Sequence, residues 1–277
     1  MGYPKDLKPS IKKVAHNVVT LAVPFAMVNV ANIGNRMSIL RYGNEIILWS
    51  PIPYGDYIDE AIDLLVRRKD NLKVTHLFVV NKEHNLVAES YLEKFPDIKI
   101  VGGEGVLGKD SIIHHEFTAE DSNKVIKGED AKAKFGATGD FWGNLEFVYM
   151  AEHKNREVVI YEKNLHMLFE GDLIMDCGRP DNEGNYECYS PATGYPHQYN
   201  PFTGLSWAIG EIKAGGWLGW FIHFVFARTW TAAGEQSIRL VYDAFDFDTI
   251  VQCHGNIISG NAKEIYAEIY PWLKKEQ

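Results

Sequence analysis

This sequence predicts an α/β fold in which helices cover a β-sheet, on three observations. Short apolar runs of strand type alternate with amphipathic helical stretches. The order of these elements echoes coarsely in two blocks, with no fixed-period repeat. The 277 residues, 46% hydrophobic and 23% charged, suffice for one large core. We therefore expect a single domain over 1–277, with an aromatic-rich insertion at about 177–235.

In the first block Val18–Val23, Met37–Arg41 and Glu45–Trp49 read as strands. The turn Tyr42-Gly43-Asn44 joins the last two as a hairpin. Tyr57–Arg68 places Ile58, Ala61, Ile62 and Leu65 on one helical face with charges opposite. Val74–Val80 is a mostly apolar run of buried-strand type. Leu86–Phe95 resumes helical spacing, and Ile98–Val101 is a further short strand. Lys109–Gly139 is polar and without a strong period, which predicts a connector or a peripheral element. The second block opens with a meander of Leu145–Met150, Glu157–Tyr161 and His166–Phe169. Cys177–Thr203, rich in Gly, Pro, Asn and Tyr, reads as a long loop, and Trp207–Trp230 follows it. A connection of that length suits a lid or pocket wall. Ser237–Phe245 reads as a helix, Thr249–Cys253 as a last strand and Ala262–Leu273 as a closing helix.

Composition narrows the partners. Lys and Arg are outnumbered 28 to 37, for a net charge of −9, so a phosphate backbone is a poor ligand and no nucleic acid is expected. The longest apolar run, Ala214–Ala227, is shorter than the roughly 20 residues that span a bilayer. A buried helical hairpin or pocket wall suits it better than a membrane surface, so no membrane partner is expected. Met1–Lys13 is polar and lacks the apolar centre of a signal peptide. Asp6 stands where a myristoylation motif after Gly2 wants Ser or Thr. Cys177, Cys188 and Cys253 are too few and too odd in number for a disulfide framework. The reading is a cytoplasmic protein with a small-molecule substrate and room for a homodimer.

Four positions bring a metal-type ligand to the end of an apolar strand. They are Glu83-His84, His153, Asp172 and His254. Strand ends in α/β sheets project into shared crevices, and carboxylate with imidazole suits a borderline divalent ion. Singly, each has a plainer role. An Asp after Gly serves turns and helix caps, and a lone His is more often a hydrogen-bonded structural residue. Their order and spacing taken together raise the metal reading. Gly102-Gly103-Glu104-Gly105 lacks the Lys-Ser/Thr of a phosphate loop, and no Gly-x-Ser-x-Gly elbow is present.

Order and spacing resemble the metallo-β-lactamase superfamily over Val18–Leu273. Its Thr-His-x-His-x-Asp-His signature aligns with Leu77 to His84. Its later markers align with Met150 to His153, with Phe169-Glu170-Gly171-Asp172 and with Gln252-Cys253-His254-Gly255. A divergent subgroup of unknown function is closer. It shares Arg36-Met37 through Arg41, Ser50-Pro51-Ile52, Asn81-Lys82-Glu83-His84, and Asp246-Phe247-Asp248 before His254-Gly255. The resemblance implies a four-layer αββα sandwich of two packed mixed sheets.

It also implies where a metal goes. Val79 and Asn81 replace the two His of His-x-His, leaving only His153 for the first metal position, so that position is lost. The second keeps Glu83, His84, Asp172 and His254, chemically enough for one divalent ion, with zinc first and iron or manganese as alternatives. Glu83 replaces an Asp, and its extra methylene moves the carboxylate by about 1.5 Å, when bond lengths must hold to about 0.2 Å. The implied activity is hydrolysis of an ester, thioester or phosphoester. Asp172 or Glu83 would take the proton, Asn81 would donate to an oxyanion, and Arg36 would meet a substrate anion unless it forms a structural ion pair. Tyr186, Tyr189, Tyr195, Trp207 and Trp217 either wall a pocket or pack the insertion. Alternation along the last strand turns Cys253 away from His254 and into the core. Two alternatives remain: a non-catalytic descendant of the fold that binds a small molecule or protein, and, less supported, an iron oxidoreductase.

Overall fold

The computed structural model describes residues 2–66, 71–108 and 111–274. The first sheet is built from β1 (Ser10–Ala15), β2 (Val18–Val23), β5 (Asn35–Tyr42), β6 (Glu45–Trp49), β7 (Lys73–Val79), β8 (Lys99–Gly103) and β9 (His115–Phe117), in that spatial order. β1 to β6 pair antiparallel and β6 to β9 parallel. A small hairpin of β3 (Ala26–Met27) and β4 (Ala31–Asn32) stands apart. The second sheet runs β10 (Val125–Lys127), β11 (Leu145–Met150), β12 (Glu157–Glu162), β13 (Met167–Glu170), β14 (Thr249–Gln252) and β15 (Ile258–Ser259). It is antiparallel except for the β13–β14 pair. The helices are α1 (Asp56–Asp63), α2 (Ser90–Lys94), α3 (Gly128–Phe135), α4 (Trp207–Gly210), α5 (Trp217–Ala227), α6 (Ala232–Ala244) and α7 (Ala262–Ile269).

Three apolar clusters stack these elements into four layers. The central one lies between the sheets, where Trp49 and Phe78 of the first meet Phe147, Ile160 and Phe169 of the second. The second joins the outer face of the first sheet to α1 and α2, through Leu48, Leu77, Ile58, Ile62 and Tyr91. The third joins the outer face of the second sheet to α6 and α7, through Val159, Leu168, Ile238, Val241 and Tyr266. Strand alternation explains the division. In β6 Ile47 and Trp49 face the centre while Ile46 and Leu48 face the helices. Each such side chain stabilises the fold by roughly 1.5–3 kcal/mol on full burial.

Where apolar period is strong, the expected elements form. β2 has the expected bounds, and β5 and β6 meet at a two-residue turn, with Gly43 at φ +59. The helix expected over Tyr57–Arg68 forms as α1, which ends at Asp63; Arg67 and Arg68 lie outside the described residues. One expectation is decided and one corrected. Lys109–Gly139 is peripheral rather than a bare connector: it holds the edge strands β9 and β10 and α3, and its first two residues lie outside the described ones. Strands of three residues at sheet edges leave too little apolar pattern to detect. The run Ala214–Ala227 is not a buried hairpin. α5 buries only Gly219, His223 and Ala227, and Trp217, Trp220 and Phe221 are exposed. Among the described residues no helix is long and apolar enough to cross a membrane.

One edge of the sandwich gathers the strand ends that matter. The C-terminal ends of β6, β7, β13 and β14 lie there, with the N-terminal end of β12. Backbone hydrogen bonds lace the two sheets together at this edge, Val158 N to Val80 O and Lys82 N to Asn155 O, both 2.9 Å. The segment expected as an insertion runs between β13 and β14.

Candidate metal centre

Asp172 follows Gly171 two residues beyond β13, buried at this edge. Its Oδ1 lies 3.6 Å from His84 Nε2 and 3.2 Å from His254 Nε2. One atom from each residue falls within 4.8 Å of the others, an arrangement sized for an ion. His84 comes from the loop after β7 and His254 from the end of β14. These three of the four expected ligands are therefore brought together. Glu83 stands outside the group and is exposed on the rim.

The protons on the two imidazoles are set from behind. His254 Nδ1 donates to the carbonyl of Gly34 at 2.8 Å, because that oxygen only accepts. Its Nε2 is therefore the ring nitrogen left to face Asp172. His84 Nδ1 pairs with Ser50 Oγ at 3.2 Å. Burial pushes the His84 pKa down, against the pull of Asp172, so the ring is neutral. Burial opposes ionisation of Asp172 too. Hydrogen bonds from His254 and His84 outweigh it and hold its carboxyl well below the usual carboxylate range. Two imidazole nitrogens and one carboxylate oxygen thus face a common point, and such a set fits a divalent cation that takes the place of the protons shared with Asp172.

The other carboxylate oxygen is closed off. Asp172 Oδ2 accepts from Asn81 Nδ2 at 2.9 Å and from Asn155 Nδ2 at 2.7 Å. The second amide hydrogen of Asn81 goes to Glu157 Oε2 at 2.7 Å. Asn81 Oδ1 accepts from the backbone N–H of Glu83 and of His84, which shapes the loop that carries His84. Glu157 takes the N–H of Gly171 at 2.5 Å and that of Asp172 at 3.4 Å. Its pKa is pushed up to about 8, by burial first and then by the charge of Asp172. Gly171 is needed for this approach, since a Cβ there would sit 2.7 Å from Asn81 Nδ2 and 3.0 Å from Glu157 Oε1.

Two expected roles are corrected by these contacts. Asn81 has both amide hydrogens committed, so it is a positioning group rather than an oxyanion donor. Arg36 is buried, with Nη1 on the carbonyl of Gln252 and Nη2 on Glu187 Oε2 at 3.0 Å. It forms a structural ion pair, the alternative expected for it, and does not line the cavity. Arg36→Leu should cost about 3 kcal/mol in urea unfolding, because Glu187 loses its buried partner, with the metal content unchanged. Of the two readings of the aromatic loop, packing describes Tyr186, Tyr189 and Tyr195, which join apolar clusters; none of the five lines the cavity, and Trp207 and Trp217 are exposed. Tyr189 instead braces the site from behind. Its hydroxyl donates to Phe25 O and accepts from Gly34 N, the residue whose carbonyl holds His254. Gly34 sits at φ +73, and a Cβ there would meet Cys188 at 2.7 Å.

His153 is buried outside the ligand group. Its Nδ1 accepts from Asn155 N, its Nε2 has no hydrogen-bond partner, and burial pushes its pKa down to about 4. Cys253 is buried in the central cluster as expected, donating to Ser50 Oγ at 3.2 Å. Asn155, Glu157 and the role of Ser50 were not legible. The available signals were an acidic residue opening the apolar strand Glu157–Glu162 and the Ser50-Pro51 step, where Ser50 takes a left-handed φ of +56.

No protein-family model and no curated protein matches the chain. Solved structures do. A DIM-1 metallo-β-lactamase exposed to ceftazidime matches at TM-score 0.57 and 12% identity, covering 99% of each chain. A metallo-β-lactamase from Hirschia baltica matches at 0.54 and 11%, covering 95% of this chain and 97% of that one. One from Erythrobacter litoralis matches at 0.55 and 16%, covering 98% and 96%. At such identities the likeness speaks for architecture alone. Four layers, two mixed sheets and near-complete coverage establish that this chain has the metallo-β-lactamase fold.

Proposed function

We propose that the chain is a metal-dependent hydrolase using a single divalent ion, zinc first, held by His84 Nε2, Asp172 Oδ1 and His254 Nε2. The observation that carries this reading is the convergence of those three acceptor atoms beside a cavity. A divalent ion there supplies Lewis acidity and acidifies water. The residues supply the rest. Ser50 and the Gly34 carbonyl hold the imidazoles in orientation. Asn81 and Asn155 occupy Asp172 Oδ2, which keeps that carboxylate from bridging to a second ion. With Asp172 so engaged, Glu83 is the carboxylate left at the cavity to accept a proton. The substrate would be an ester, thioester or phosphoester.

Titrating chelator-treated protein with zinc tests this. About one ion per chain should bind, and hydrolysis of p-nitrophenyl acetate, a thioester or bis-p-nitrophenyl phosphate should rise with that first equivalent. No binding and no thermal shift with zinc, iron or manganese would sink the proposal. The amide pair on Asp172 Oδ2 also favours a second reading, a binding protein that kept the fold without catalysis. Zinc binding without turnover on any of the three substrate types would favour that one.

A further inference from the structure

The cavity in front of the metal centre has a volume of about 630 Å³, within the usual range for a small-molecule site. Its floor is His84, Asp172 and His254. Part of its wall is apolar. Phe25, Met27 and Val28 line it from the β3–β4 hairpin, and Leu86, Met175 and Phe226 from other sides. Val28 is 78% exposed, Leu86 54% and Met27 45%, so the apolar surface continues to the mouth. Exposed apolar side chains grouped around a cavity mark a binding surface.

Two cations stand in the same cavity, Lys82 and Lys154. Their backbones are pinned on either side of Asn155, Lys82 N to Asn155 O at 2.9 Å and Lys154 N to Phe226 O at 2.8 Å. Lys154 Nζ sits 4.6 Å from the centre of the Phe226 ring, where the apolar wall meets the polar floor. Neither lysine has an ion-pair partner among the described residues. The one other charged side chain on the rim is the carboxylate of Glu83.

We infer that this cavity takes an amphiphilic anion, an acyl ester or thioester whose long apolar chain lies against the β3–β4 hairpin and Phe226 while its anionic group meets Lys82 and Lys154. The assignment of substrate class rests on the hydrolase reading, but the recognition itself does not need the metal. It commits the hairpin to chain binding and the two lysines to charge.

Calorimetry on chelator-treated, full-length protein tests it with butyrate, octanoate, laurate and dodecyltrimethylammonium as probes. Affinity should rise with chain length, up to about fourfold for each methylene buried. Laurate should bind more tightly than the cation of equal chain length. Lys82→Ala with Lys154→Ala should weaken laurate about tenfold, the worth of a lost charged contact, and leave zinc stoichiometry at one. Val28→Asp should weaken laurate while sparing butyrate, and Glu83→Gln should strengthen both. Butyrate binding as well as laurate, the cation binding as well as the anion, or no binding of any probe would overturn the inference. Because zinc is absent from the measurement, those failures leave the single-ion reading standing. A failed zinc titration with intact laurate binding would remove that reading alone.

Discussion

Replacing His254 or His84 with alanine should each weaken zinc binding by about a hundred- to a thousandfold. The size follows from dividing the roughly 10–16 kcal/mol of a four-ligand zinc site among its ligands, which leaves about 2.5–4 kcal/mol for each. The proposed site has three protein ligands, so removing one would leave two, too few to retain an ion through gel filtration. His153→Ala is the matching control. His153 lies outside the ligand group, so its loss should leave the affinity within a few fold. Ser50→Ala should fall between, at about ten- to a hundredfold, because Ser50 touches only the far nitrogen of His84. Equilibrium competition with a chromogenic chelator reads all four variants. Zinc retention by His254→Ala within tenfold of the parent would contradict the ligand assignment, and a large loss in His153→Ala would place the ion elsewhere.

The second large effect is on stability against pH in metal-free protein. Glu157 has its pKa raised from 4.5 to about 8, so between those values the folded chain holds a proton that the unfolded chain has lost. Its contribution is therefore harmless below about pH 4.5, grows more unfavourable as pH rises, and levels off above about 8. Over that window the penalty is on the order of 3–5 kcal/mol. Buried histidines act the other way. His76, His153 and His223, with pKa values pushed down by burial to about 3, 4 and 4, make the fold more stable as pH rises to about 6.5, because there the unfolded chain holds the extra protons. Asp172, held below its ordinary 3.8, loses stability only in stronger acid. The difference between parent and Glu157→Gln isolates the term, since the other groups remain in both. Glu157→Gln should be the less stable at pH 5, where it loses a hydrogen bond to Gly171 or Asn81. It should gain on the parent steadily to pH 8. Urea midpoints across that range give the slope, and a flat difference would mean that Glu157 ionises freely in the folded chain.

The two predictions separate what each residue type discloses. His84, Asp172 and His254 were legible because each ends an apolar strand, and such ends meet at one edge of a sandwich. Glu83 sits beside His84 in the chain and lines the same cavity, but it is exposed and its carboxylate lies outside the ligand group. Arg36 lies in an apolar strand where its charge suggested a ligand role. The partner that claims it, Glu187, is 151 residues further on. Asn81 looked like a lost ligand, and only its contacts with Glu157 and Asp172 show it holding the site together.

Sequence alone determined the strands with strong apolar period and, through resemblance, the four-layer class, and it supplied the expectation that Val79 and Asn81 leave room for one ion only. The tertiary structure decided which polar groups meet. It set Asn155 and Asn81 on one oxygen of Asp172, buried Glu157 beneath them, turned Ser50 to His84, and placed Lys82 and Lys154 before an apolar cavity. The physical reason is range. Apolar periodicity is a local signal that repeats along a strand, whereas a buried polar group is satisfied by whichever donor the opposing sheet delivers.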